Sequence, residues 1–158
     1  MRVCDLTLRD FRNYVNLNLE FDPGVNLIVG KNAQGKTNIL EAISYLGSGK
    51  SFRAQKTGEM IRFGADFADI EGSVFSQERQ QKLRWVLFNS ARPRQIWRNG
   101  AKVKTAGDVS GILSSVLFCP NPVSLSEYSR SINSCLNRSY WIEYTAEKQQ
   151  RITTNVNT

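Results

Sequence analysis

Residues 30–37 read G-K-N-A-Q-G-K-T, between the apolar run V-N-L-I-V at 25–29 and the sequence N-I-L-E-A-I-S-Y-L at 38–46. The eight residues match G-x-x-x-x-G-K-[ST], the P-loop pattern in which backbone N–H groups surround nucleotide phosphates. Lys36 would supply a cation for the β- and γ-phosphates, and the Thr37 hydroxyl is placed to bind Mg²⁺. The pattern predicts a nucleotide site formed by Gly30, Lys31, Asn32, Ala33, Gln34, Gly35, Lys36 and Thr37, with Thr37 as the metal ligand.

The flanking sequence has the order of elements that a P-loop requires. Residues 25–29 predict a buried parallel strand, an apolar run interrupted only by Asn26. A helix is predicted from Gly35 to Leu46, ending at Gly47, because its apolar residues recur on one face. The alternative is a glycine-rich turn that joins a strand to a helix and binds nothing.

The rest of the first 120 residues predicts mostly strands. Period-two alternation at 2–8 and 15–21 indicates two antiparallel strands before the P-loop strand. Asn99-Gly100 is a hairpin turn signal. Short helices are predicted from a cap at Thr57 through Phe63 and at 108–113. The further predicted strands are 68–75, 82–88, 95–98, 101–104 and 116–118.

Composition excludes several classes of protein. The chain has 158 residues, 41% of them apolar, which suffices for one domain with a core. It has no histidine and three widely spaced cysteines, which argues against a zinc site and excludes a Ser-His-Asp triad. Neither a signal peptide nor a membrane-spanning stretch is recognisable, so a cytoplasmic location without membrane contact is expected.

Positive charge is concentrated in one segment. The formal net charge is +7, and between residues 78 and 104 eight basic residues accompany a single acidic one, Glu78. Such a segment favours sequence-independent binding to DNA phosphates, the alternative being a solvated sheet face. Trp85 and Trp97 lie within it and are expected to pack in the core or hairpin rather than to stack on bases. The predicted DNA-binding residues are Arg79, Lys82, Arg84, Arg92, Arg94, Arg98, Lys102 and Lys104.

Four sequence segments together resemble a known family. They are L-T-L-R-D-F-R-N-Y at 6–14, the P-loop region at 24–43, L-G-S-G-K-S-F-R at 46–53 and V-L-F-C-P at 116–120. They are similar to the head domain of ABC-type ATPases of the SMC class and, more narrowly, to the RecF family of bacterial DNA replication and repair proteins, over about residues 1–120. The resemblance implies an α/β fold, the N-terminal lobe of an ABC/SMC-type P-loop NTPase head with an antiparallel β meander.

The resemblance also implies ligands and partners. RecF-like heads bind ATP and Mg²⁺, form ATP-dependent homodimers, grip double-stranded or gapped DNA, and help recombination mediator proteins to load recombinase at gaps. By the same resemblance, Arg12 and Asn13 would contact the nucleotide. Ser51 and Arg53 would lie on the phosphate side or the dimer side, or simply in an exposed loop.

After Pro120 the sequence departs from the family pattern. Residues 121–158 lack the expected arginine-rich helix, S-G-G signature and Asp-Glu strand. We therefore expect an N-terminal lobe, with the C-terminal lobe missing, that binds ATP but cannot hydrolyse it alone, so no catalytic residue is assigned. The segment 121–158 would be a disordered tail, an out-of-frame tail after a frameshift, or a native divergent one. Alternative functions are a small P-loop kinase and a non-enzymatic DNA-binding module with a vestigial P-loop.

Overall fold

An antiparallel sheet forms most of the structure. The computed structural model describes residues 1–31, 33–117 and 141–142. The six strands of the sheet are β1 (Arg2–Phe11), β2 (Tyr14–Glu20), β3 (Phe67–Ser76), β4 (Arg79–Phe88), β5 (Gln95–Arg98) and β6 (Ala101–Val103). Their order is β2-β1-β3-β4-β5-β6, and every pair is antiparallel. The meander predicted from the sequence is therefore present, extended at one edge by the N-terminal strands.

The two faces of the sheet differ in polarity because side chains alternate along each strand. Leu6, Ile70 and Trp85 point to one face and are fully buried. The other face is polar, and one row crosses all six strands in register: Asn18, Thr7, Glu71, Arg84, Trp97 and Lys102. We call this second face the outer face.

The helix α1 (Lys36–Ser48) covers the buried face of the sheet. It ends at Gly49, which has φ 64° and donates its N–H to the Tyr45 carbonyl at 2.7 Å. The predicted end at Gly47 was wrong. Gly47 lies within the helix, where a Cβ would approach the Leu113 carbonyl oxygen to 2.4 Å. That glycine permits close packing of the segment around Leu113 and does not end the helix.

The predicted buried strand at 25–29 is the main departure from expectation, because no strand forms in residues 21–30. Val25 is 94% exposed, and Leu27 and Val29 are also exposed. The Asn26 amide instead folds back to donate to the Asp22 carbonyl at 3.0 Å, and its oxygen accepts the Asp22 N–H at 2.9 Å. A buried strand requires paired neighbours, and in the described part of the chain nothing pairs with this run.

The remaining elements are close to the predicted ones. Asn99 and Gly100 have φ of 51° and 81°, the conformation of a tight hairpin turn, which confirms that prediction. The two predicted short helices are 3₁₀-helices at Thr57–Met60 and Ala106–Val109. The first ends earlier than predicted, and the second is shifted toward the N-terminus. Hydrogen bonds from Thr105 lower the pKa of the Asp108 carboxyl, which caps the 3₁₀-helix at Ala106–Val109.

The last described elements are short. A pair of parallel two-residue strands, β7 (Val116–Leu117) and β8 (Trp141–Ile142), forms a separate small sheet. Phe118, the predicted end of β7, and the segment 121–158 apart from β8 lie outside the described residues. Among the described residues, no helix is long and apolar enough to cross a membrane.

Candidate nucleotide-binding site

The side chain of Lys36 folds back onto the P-loop and bonds to its backbone. Lys36 Nζ donates to the carbonyls of Gly30 and Lys31, at 2.6 and 2.8 Å. Gly35 precedes α1 with φ 99°, and its carbonyl accepts the N–H groups of Asn38 and Ile39. The loop thus folds around the Lys36 side chain at the N-terminus of a 13-residue helix. Asn32, which was also predicted to belong to the site, lies outside the described residues.

The turn between β1 and β2 packs directly on this loop. Asn13 Nδ2 and the Tyr14 hydroxyl both donate to the Gln34 carbonyl, at 3.3 and 3.4 Å. A Cβ on Gly35 would lie 2.7 Å from both Asn13 Oδ1 and the Tyr14 hydroxyl. Burial raises the pKa of the Tyr14 phenol, which therefore stays protonated as a donor. The structure places Asn13 against the P-loop, beside the predicted nucleotide position.

Arg12 is engaged with a buried carboxylate. Its Nε and Nη2 donate to the two oxygens of Glu41, at 2.9 and 2.6 Å, and its Nη1 donates to the Glu59 carbonyl at 2.6 Å. Glu41 lies on α1 and is fully buried. The Ser51 hydroxyl also donates to Glu41. Glu41 therefore joins three separate segments: the β1–β2 turn, the P-loop helix and the loop after it.

Arg53 lies next to this cluster and is more exposed. Its Nη1 donates to Asn38 Oδ1 at 2.9 Å and lies 3.9 Å from Glu41 Oε2. The Asn38 amide in turn donates to Asn13 Oδ1 at 2.7 Å. A continuous set of hydrogen bonds thus connects Arg53 through Asn38 and Asn13 to the P-loop carbonyl of Gln34.

The arrangement fits a nucleotide with Mg²⁺. The cradle at Gly35 has no room for a side chain, the Lys36 ammonium lies within the loop, and Thr37 is exposed on the first turn of the helix. Backbone N–H groups and the positive end of the helix dipole favour an anion there. A hydroxyl oxygen at that position suits Mg²⁺, which binds oxygen ligands and retains water.

The predicted DNA-binding residues do not share one surface. Lys82, Arg84 and Lys102 lie on the outer face of the sheet, in the cross-strand rows that include Ser73, Glu71 and Trp97. Arg98 pairs with Leu83 and so points to the opposite face, where it donates to the buried Gln81 at 2.8 and 3.1 Å. Arg94 donates to the Tyr45 hydroxyl at 3.0 Å and to the Gly49 carbonyl, beside the end of α1.

Two of the outer-face cations are paired with acids of β3. Arg84 donates to both oxygens of Asp69, at 2.6 to 3.1 Å, and this hydrogen bonding raises the pKa of the Arg84 guanidinium. Lys82 lies 2.7 Å from Glu71. Arg79, Arg92, Lys102 and Lys104 are exposed.

The two tryptophans occupy different environments. Trp85 is fully buried in the core, as predicted. Trp97 is half-buried on the outer face, where the Arg84 guanidinium and the Lys102 ammonium lie 5.2 and 5.8 Å from its ring centre. Cation–π contacts of this kind explain why the ring remains on a polar surface.

Together, the P-loop, the helix behind it and the antiparallel sheet define a P-loop nucleotide-binding head. A family model described as AAA domain matches residues 5–156, and the chain belongs to that family. Among solved structures, it resembles the SMC head domain from Thermotoga maritima, with a TM-score of 0.58 at 25% identity, over 69% of this chain and 41% of that one. The predicted fold class is thereby confirmed.

The narrower resemblance to RecF is confirmed as well. The chain is 37% identical over 132 residues to the DNA replication and repair protein RecF of Lactobacillus gasseri, covering 84% of this chain and 35% of the relative. A structure described as the recombination mediator protein RecF-ATP in the RecFOR pathway superposes with a TM-score of 0.74 at 31% identity, over 85% of this chain and 39% of that one.

Each of these matches covers only part of a longer protein. The chain spans about a third of the length of the first curated relatives that it matches. RecF of Clostridium novyi aligns with all of this chain at 33% identity, and with 45% of its own length. That alignment and the family model both extend beyond residue 120. The division of the chain at residue 120 stays a prediction.

Proposed function

We propose that the chain binds ATP with Mg²⁺ at residues 30–37 and serves DNA replication and repair. The observation that carries this proposal is the folded P-loop, in which the Lys36 ammonium donates hydrogen bonds to two loop carbonyls. When a nucleotide binds, its phosphate oxygens would accept these hydrogen bonds in place of the carbonyls. Backbone N–H groups at the start of α1 would hold the phosphates, and Thr37 would bind the metal. The RecF relatives, one of them described with ATP, support the assignment.

The other family properties are proposals that rest on the relatives. They are an ATP-dependent homodimer, the loading of recombinase with recombination mediator proteins, binding to double-stranded or gapped DNA, and a cytoplasmic location. ATP binding without hydrolysis by this segment alone is likewise a proposal. A phosphate-release assay with the isolated chain tests it directly, and turnover would contradict it.

We expect the Lys36→Ala variant to bind ATP about 10- to 100-fold more weakly, because it loses a charge-assisted contact to phosphate worth roughly 1.5–3 kcal/mol. Titration calorimetry with ATP and Mg²⁺ measures the change. Lys50→Ala is the matched control, since Lys50 is exposed beyond the end of α1. Equal affinities of Lys36→Ala and the unmodified chain would contradict the proposal, and no ATP binding by either would favour a DNA-binding module with a vestigial P-loop.

We further propose that DNA binds through the exposed cations of the meander that form no ion pair within the described part of the chain, and Lys104 is the clearest test. The Lys104→Gln variant should lose affinity for duplex DNA, and its slope of log affinity against log salt should fall by about 0.9, since it releases one fewer counterion. Arg98→Gln removes the same charge from a side chain that points away from the outer face of the sheet, and its slope should not change. If the affinity of the unmodified chain for duplex DNA did not change with salt concentration, DNA binding through these cations would be contradicted. If the slope fell equally in Lys104→Gln and Arg98→Gln, the assigned surface would be contradicted.

A further inference from the structure

Aromatic rings and cations are interleaved on the outer face of the sheet. The Arg2 guanidinium lies 5.5 Å from the centre of the Phe75 ring, and the Arg92 guanidinium lies 5.0 Å from the centre of the Phe88 ring. Both rings share the face of Trp97, because their positions on β3 and β4 are an even number of residues from its cross-strand row. The outer face therefore presents several rings to solvent, each with a positive charge above it.

The surface beside Trp97 is concave. A cavity of about 220 Å³ opens there, lined by Glu71, Lys82, Arg84, Trp97 and Gly100. Gly100 leaves this side open, since a Cβ built on it would have nothing within 4 Å. The cavity thus has a flat aromatic wall, two cations and a carboxylate around a space that suits a planar ring such as a nucleobase.

The charges of this face favour a ligand that stacks over one that only offers phosphates. Arg84 and Lys82 are paired with the two acids of β3, so their charges are largely neutralised. Lys102 is exposed, and its ammonium lies 5.8 Å from the centre of the Trp97 ring. A duplex, which is bound mainly through its phosphates, gains little from paired cations. A base of a single strand can stack on an aromatic ring whatever its sequence.

We propose that the outer face binds single-stranded DNA, with one base stacked on Trp97 in this cavity and the adjoining phosphate held by Lys102. The Lys102 ammonium would leave the ring for the phosphate, and the base would take its place, because an exposed cation–π contact is weaker than base–aromatic stacking. Phe88 and Phe75 lie four residues from this row in opposite directions, about 13 Å along the strands, and offer further rings to the same DNA strand.

This inference goes beyond the cations proposed for duplex DNA, because both the ligand and the interaction differ. The sequence favoured packing for both tryptophans, and Trp85 is indeed enclosed in the core. Trp97 is only half-buried, so part of its ring is available to a ligand. Stacking depends on the bases, whereas binding to exposed lysines depends on the phosphates, and the two can be measured separately.

The first test uses the unmodified chain and two labelled oligonucleotides of about 15 nucleotides, an oligothymidylate and an abasic strand with the same number of phosphates. The oligothymidylate should bind about tenfold more tightly or better, because only it has bases to stack. Fluorescence anisotropy measures both affinities. Equal affinities would overturn the inference, whatever the salt dependence of binding.

The second test changes the ring itself. Trp97→Leu should bind oligothymidylate about tenfold more weakly, whereas Trp97→Phe keeps a stacking surface and should stay within about threefold of the unmodified chain. Neither change should alter the affinity for duplex DNA. Phe63→Leu is the matched control, since Phe63 is 99% exposed and lies outside the sheet, and it should change neither affinity.

The outcomes separate this inference from the duplex proposal. If Trp97→Leu weakens the binding of duplex and single strand equally, the ring has no particular role toward bases and the inference fails. If duplex binding shows the expected salt dependence while Trp97→Leu leaves oligothymidylate affinity unchanged, the inference fails and the duplex proposal stands. If Trp97→Leu does not fold, the comparison with the abasic strand decides. If the unmodified chain binds neither kind of DNA, both proposals fail.

Discussion

Replacing Arg12 with Gln is expected to lower the free energy of unfolding by about 3–5 kcal/mol, because it leaves a fully buried carboxylate without its cation. Glu41 has no exposed surface, and both of its oxygens accept hydrogen bonds from the Arg12 guanidinium. The neutral amide of glutamine cannot supply the charge. Urea unfolding followed by far-UV circular dichroism measures the change. Its expected size is large compared with the total stability of an ordinary domain.

The double variant gives the sharper part of this prediction. Replacing both partners removes the unpaired charge, so Arg12→Gln/Glu41→Gln should recover most of the stability lost in Arg12→Gln. The Ser51 hydroxyl can still donate to the amide oxygen of a glutamine at residue 41. Arg62→Gln, which breaks the half-exposed pair with Asp10, should cost about 1 kcal/mol or less. Purely additive losses in the double variant would mean that Arg12 and Glu41 do not stabilise each other.

Local signals were sufficient to predict much of the fold. The P-loop helix follows from its apolar periodicity, and the hairpin at Asn99-Gly100 follows from two residues that tolerate positive φ. The run V-N-L-I-V at 25–29 was misread because its composition is that of a buried strand, while burial depends on neighbours that lie elsewhere in the chain. In the structure Asn26, the one polar residue of the run, bonds back to the preceding turn.

The site depends more on distant contacts. Glu41 is 29 residues from Arg12 in the sequence, and nothing local pairs them. The available signal was a carboxylate within the apolar sequence N-I-L-E-A-I, since a charge amid buried residues needs a partner. The charge count over residues 78–104 did not include Asp69 and Glu71, which lie on the neighbouring strand β3. The register between β3 and β4 brings these two acids beside Arg84 and Lys82. Period-two alternation alone could have separated Arg98 from Trp97, its neighbour on β5.

The second large effect is expected at Trp85, which joins the helix to the sheet. The side chain is fully buried, and its ring meets the Tyr45 ring edge-on, with centroids 5.3 Å apart. Its indole N–H donates to the Leu46 carbonyl at 3.1 Å. That carbonyl lies in the last turn of α1, where carbonyls lack partners within the helix. Trp85 therefore both fills the core and satisfies the end of the P-loop helix.

Trp85→Ala is expected to lower the free energy of unfolding by about 3–5 kcal/mol, through the cavity left under α1 and the unpaired Leu46 carbonyl. Trp85→Phe keeps an aromatic ring but loses the N–H donor, so it should cost an intermediate amount, about 1–3 kcal/mol. Trp97→Ala is the matched control, since that ring is half-buried on the outer face, and it should cost about 1–2 kcal/mol. Urea unfolding ranks the three variants. A loss in Trp97→Ala as large as in Trp85→Ala would contradict the placement of the core between α1 and the sheet, because a half-buried ring on the outer face would then contribute as much to stability as the ring buried beneath the helix.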